Sequence, residues 1–111
     1  MQKQHYETRP ADSETVRFVG LMATILRFNI EEVEDGYDCD EVEYTHKEPL
    51  TESDYAPMVS TLVRGKYSAD AVEAIQLNYI NDPEGGKSEM DALQEWRAVA
   101  KNAARKAISA S

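Results

Sequence analysis

Cysteine is nearly missing from this chain: Cys39 stands alone among 111 residues, so no disulfide can form within it. The fold must be held by packing, and a reducing compartment suits it. A long apolar run is missing too. The most apolar window, 16–30, is interrupted by Arg17, Arg27 and Asn29 and is too short to span a bilayer. The opening residues MQKQHYETRP lack the apolar stretch of a secretory signal. Positive charge is scarce in the first part. Residues 1–60 hold five basic groups (Lys3, Arg9, Arg17, Arg27, Lys47) against fourteen acidic ones, whereas 61–111 hold seven of each, so the net charge of −9 arises before position 61. A surface of that sign repels phosphate backbones and anionic lipid, which argues against direct nucleic-acid contact and against a membrane partner. A soluble, cytoplasmic protein is expected.

What is present suffices for a folded domain. A chain of this length buries roughly two thirds of its unfolded surface, enough for one core, and 41% hydrophobic content argues against disorder. One domain spanning 1–111 is expected, mainly β over 1–47, a helical pair over 51–80 and a C-terminal helix over 88–108. Gln4 to Glu7 alternates weakly and ends at Arg9-Pro10, as a short edge strand would. From 15 to 33 the chain is β-branched and aromatic, with alternating ends, and Gly20 should mark a bend or bulge dividing it; one strand or two both fit. Glu34-Asp35-Gly36-Tyr37 reads as a tight hairpin turn. The returning strand runs through Tyr37, Cys39, Val42 and Tyr44, and its change of phase calls for a bulge near Asp40-Glu41.

Helical signals take over at Thr51. Thr51 and Asp54 have capping-box spacing, Leu50 can staple onto Tyr55, and Met58, Val59, Leu62 and Val63 form an apolar stripe that Gly65 ends. Pro57 requires either a loose first turn or a later start. Ser68 and Asp70 open a second helix. There Val72, Ile75 and Tyr79 share a face that Leu77 and Ile80 widen, so this helix should be buried over much of its circumference. Asn81-Asp82-Pro83 stops it. Glu84-Gly85-Gly86-Lys87 reads as a flexible loop, and a capping box at Ser88 to Asp91 begins the last helix. Its inner face is Met90, Leu93, Trp96, Ala100, Ala103 and Ala107, with acids early and bases late along it. The fold class is therefore α+β: an antiparallel hairpin or small three-stranded sheet with three helices packed on it.

No motif names a reaction. The base-free cluster Glu31, Glu32, Glu34, Asp35, Asp38, Asp40, Glu41 and Glu43 suggests a hard cation, but its spacing matches no oxygen-ligand loop, and strand geometry turns alternate carboxylates to opposite faces. A solvated hairpin face is the better reading, and an electrostatic dock for a basic partner is a second use. His5, Cys39 and His46 could form a metal or Cys-His site only if the fold converges them, and no paired-ligand spacing supports it. The helices at 58–64 and 69–80 have helix-turn-helix spacing, yet the second carries Asp70 and Glu73 and no base, which does not suit a recognition helix. Trp96 is best read as core, while Arg97, Lys101, Arg105 and Lys106 could offer a basic face to an acidic partner.

The stretch from Tyr67 to Tyr79, with Val19-Gly20-Leu21-Met22-Ala23-Thr24 and His46-Lys47-Glu48-Pro49-Leu50-Thr51, resembles a group of small proteins of unassigned activity from Bacteroides-type gut bacteria, some encoded among prophage or other mobile-element genes. That resemblance implies a phage-structural or mobile-element accessory role and brings no active-site motif. The expectation is a non-enzymatic structural or protein-interaction module, extending to phage-tail or virion association, with no cofactor and no metal. Its partners would be proteins, self-association included, with Glu31, Glu34, Asp38, Glu41, Arg97, Lys101 and Arg105 as the contact residues. The alternative is an acidic regulatory protein that occupies the basic groove of a nucleic-acid-binding partner.

Overall fold

In the computed structural model, which describes residues 1–110, the β-branched first part of the chain forms four strands: β1 (Gln2–Tyr6), β2 (Ser13–Phe18), β3 (Leu21–Val33) and β4 (Gly36–His46). They make one antiparallel sheet in the order β1-β4-β3-β2. The sheet thus has one strand more than the largest expected. Residues 16–33 are two strands, because Gly20 at φ 74° lets the chain reverse, and Phe18 pairs with Leu21 across a two-residue Val19-Gly20 turn. The second hairpin turns through Glu34-Asp35, with Val33 opposite Gly36. Gly36 sits at φ 149°, and a Cβ there would strike the Tyr6 carbonyl oxygen, so only glycine lets β1 pass.

The expected bulge exists but lies in the other strand. Pairing jumps from Phe28↔Asp40 to Glu31↔Asp38, leaving Asn29 and Ile30 of β3 opposite Cys39. Asn29 takes φ 53°, a conformation its short polar side chain tolerates, and its Nδ2 donates to Asp40 Oδ2 at 2.9 Å.

A short 3₁₀ turn (Glu52–Asp54) leads into α1 (Tyr55–Lys66), followed by α2 (Ala69–Asn81) and α3 (Pro83–Ser109). The Asp54 carboxylate accepts the Thr51 N–H at 2.9 Å, so the expected cap is in place, and Pro57 falls in the first turn of α1, where its missing donor costs no helical bond. Gly65 does not end α1. It lies within the helix because α1 passes β4 closely, and a Cβ there would meet Val42 Cγ2 at 3.0 Å.

The Gly-Gly segment is not a loop. Asp82 caps α3 by accepting the Gly85 N–H at 3.2 Å, Pro83 occupies the first turn, and the helix runs through both glycines. Gly86 is buried where α3 crosses α2, and a Cβ on it would sit 2.8 Å from Tyr79 Cα. Ser88 to Asp91 is therefore helix interior.

One core joins the layers: Leu26 and Val42 of the sheet with Met58, Leu62, Val63, Val72, Ile75, Leu93, Trp96, Ala100, Ala104 and Ala107 of the helices. Trp96 meets Phe28 edge-on at 5.0 Å between ring centres and donates its indole N–H to Leu62 O at 3.0 Å. Since paired residues share a face, Leu26, Val42 and their strand neighbours two residues away look toward the helices. The opposite face, carrying Val16, Ala23, Ile25 and Arg27, has no helical layer among the described residues and is crossed at Arg27 by the β1–β2 connection. Nor is α2 buried over most of its circumference as its sequence suggests, because Leu77, Tyr79 and Ile80 are exposed.

Candidate functional site

The acidic residues that look alike in sequence have different fates. Glu41 is removed from the surface set by Arg27, which neighbours it across the strands on the uncovered face. Arg27 Nε donates to Glu41 at 2.8 Å, Nη2 to Glu14 at 3.0 Å and Nη1 to the Ala11 carbonyl at 3.0 Å, while the Tyr6 hydroxyl donates to Glu41. The guanidinium carbon also lies 5.0 Å from the centre of the Tyr6 ring. Burial works against this cation, but bonds to Glu41, Tyr6 and Glu14 outweigh it and raise its pKa. The bond to Glu41, with burial, holds the Tyr6 hydroxyl above its usual range. This closed network pins the β1–β2 connection to the sheet, so Glu41, with its side chain 14% exposed, is engaged within the fold.

Glu31 and Glu34 remain exposed, joined by Glu32 and Asp35 around the turn, with Asp38 opposite Glu31. The edge strand brings His5 into this group. His5 Nδ1 donates to Asp38 Oδ1 at 2.6 Å, and Nε2 lies 3.8 Å from Asp35. The hydrogen bond to Asp38 raises the imidazole pKa above its usual value. Lys3, His5, Asn29, Glu31, Asp38 and Asp40 line an open hollow of about 390 Å³ beside the bulge. Among the described residues, no group of three or more His, Cys, Asp or Glu side chains is arranged to hold a metal.

The histidine-cysteine candidate comes apart. His5 pairs with Asp38 and His46 pairs with Met22 near the other end of β4, eight residues or roughly 26 Å along the strand. His46 is buried and engaged: Nδ1 donates to Glu48 O at 2.5 Å, leaving Nε2 to accept the Thr24 hydroxyl at 2.8 Å. Cys39 is buried on the opposite face from His5, and burial pushes its thiol pKa up, away from thiolate chemistry.

The basic stripe of α3 is also reduced. Arg105 pairs with Glu52 and stacks 3.9 Å over Tyr55, which leaves half-buried Arg97 and exposed Lys101 and Lys106 as the surface members. The α1–α2 pair presents Asp70, Glu73, Leu77 and Ile80 outward, a face with no groove-reading chemistry.

Sequence reasoning missed a second surface, the β2–β3 hairpin tip. Phe18 is 59% exposed, Val19 fully so, and Leu21 41%, with half-buried Val16 and Ile25 continuing the apolar strip along the uncovered face. The signal was Val19 itself, a β-branched residue in a turn that favours glycine or asparagine. No helix among the described residues is long and apolar enough to cross a membrane. The chain matches no family model, and no curated protein or solved structure is significantly similar to it.

Proposed function

We propose that this chain is a non-enzymatic protein-interaction module, a structural or accessory component that works by docking. One observation carries the reading: helices layer the sheet on one side, and the other side, crossed at Arg27 by the β1–β2 connection, ends in exposed Phe18, Val19 and Leu21. A solvated sheet face ordinarily alternates to polar residues, and apolar groups clustered there mark a surface that another molecule covers. Exposed Glu31, Glu34 and Asp35 at the far hairpin would orient a partner by charge rather than hold it. A place in a phage or mobile-element particle is the form of that role which the proposal extends to.

If the tip exists for binding, its apolar groups do not serve the fold. The triple variant Phe18→Thr, Val19→Asn, Leu21→Thr should then be as stable as the parent chain in urea, or more so, since asparagine suits the turn better. A loss above about 1.5 kcal/mol would show that these side chains support the sheet and would remove the basis for the reading.

A further inference from the structure

The hairpin tip has a counterpart elsewhere on the same chain. On α2 the core takes Val72 and Ile75, while Asp70, Glu73, Leu77 and Ile80 recur at three- and four-residue steps on the opposite side. Leu77 is 50% and Ile80 72% exposed, and nothing among the described residues covers them. Within α2 this stripe carries acids and no base: Asp70 and Glu73 lie in it and Asp82 and Glu84 just past its end, while Lys87 of α3, the cation near Tyr79, is paired with Asp91 at 2.9 Å. The tip is bordered by Arg17 and Lys47, with Glu48 the one acid beside them. Two exposed apolar patches of opposite flanking charge on one molecule are complementary to each other.

They cannot meet within one copy. The tip stands where α3 finishes, since Thr15 and Met22 share a hollow with Ala107 and Ala110, whereas α2 ends where α3 begins, at the Tyr79–Gly86 crossing. The stretch of α3 from Gly86 to Ala107 separates the two by roughly 30 Å.

We infer that a second copy of this chain is the occupant: Phe18, Val19 and Leu21 of one copy seat against Leu77 and Ile80 of the next, with Arg17 and Lys47 facing Asp70 and Glu73. Such a contact uses different surfaces on the two copies, so it repeats head to tail into a ring or a filament. The inference rests on the tip being a docking surface and names its partner.

Sedimentation velocity tests it with two variants changed only at exposed positions, Val19→Asp and Ile80→Glu. The parent chain should form species beyond the dimer as concentration rises, and each variant alone should stay monomeric. Mixed, the two variants should form a dimer and stop there, because one retains only the stripe and the other only the tip. Arg17→Glu should weaken association about tenfold, and Glu73→Arg in the mixing partner should restore it. A parent chain that stays monomeric, a single variant that still associates, or a mixture that fails to pair each overturns the proposal. A monomeric parent chain whose tip variant keeps full stability overturns the self-partner alone, whereas a destabilised tip variant removes the docking surface itself.

Discussion

Arg27 shows how little of a residue's role its neighbours in sequence reveal. In the linear chain it only interrupts an apolar window; in the fold its side chain is 4% exposed and gathers Glu14, Glu41 and Tyr6 from 13, 14 and 21 positions away. Removing it leaves two carboxylates facing each other without a counter-ion. Arg27→Met should therefore cost about 3 kcal/mol by urea denaturation, and adding Glu41→Leu should recover part of that loss, because the uncompensated charge goes with it. A double variant as unstable as the two single losses added together would mean the network does not act as a unit. No periodicity could have named these partners, since the pairing depends on β1 lying beside β4. Asn29 carried a signal that the expectation of a bulge near Asp40-Glu41 passed over: a residue that tolerates positive φ, set between alternating segments, is the kind that forms a bulge.

At the level of elements, strand-rich and helix-rich regions were readable from β-branched runs, Gly turns and caps, and several errors fell at glycines. Gly85-Gly86 has loop composition, but the physical demand is close approach of two helices, which composition cannot distinguish from flexibility. Gly86→Ala should destabilise by about 2 kcal/mol despite the better helix former, because the added methyl meets the α2 backbone at Tyr79. Gly85→Ala meets only the movable Asp82 carboxylate and should cost distinctly less. Equal losses in thermal melts of the two variants would reassign the pair to a backbone-conformation role. Leu77 and Ile80 were misjudged for a related reason: helical periodicity finds apolar faces, and only the presence of a neighbouring element decides whether a face is covered.

For the whole molecule, the order of elements made a sheet with helices on it the natural expectation, and that is what forms. Its shape is flatter than its length suggests, with extents of 47 × 39 × 21 Å and a radius of gyration of 15.9 Å, against about 13 Å for a compact chain of this size. Charge is segregated along that plate, with Glu31, Glu32, Glu34 and Asp35 repelling one another at one end of the sheet. Added sodium chloride should thus raise the melting temperature of dilute protein, and Glu31→Gln with Glu34→Gln should raise it at low salt and flatten the dependence. Neutralising Glu89 and Glu95 on α3 is the control. An identical response in both variants would trace the effect to net charge rather than to the hairpin.

Trp96 is the only indole in the chain, and it sits where the layers join, against Phe28, below the Lys66 ammonium at 5.0 Å and bonded to Leu62 O. Its emission will therefore shift when sheet and helices separate, which gives an unlabelled optical readout of unfolding. The hairpin tip and the outer stripe of α2 are both remote from that ring, so assembly through them will leave the spectrum almost unchanged. Fluorescence and sedimentation are consequently independent channels in this protein, one reporting the integrity of each copy and the other the company it keeps.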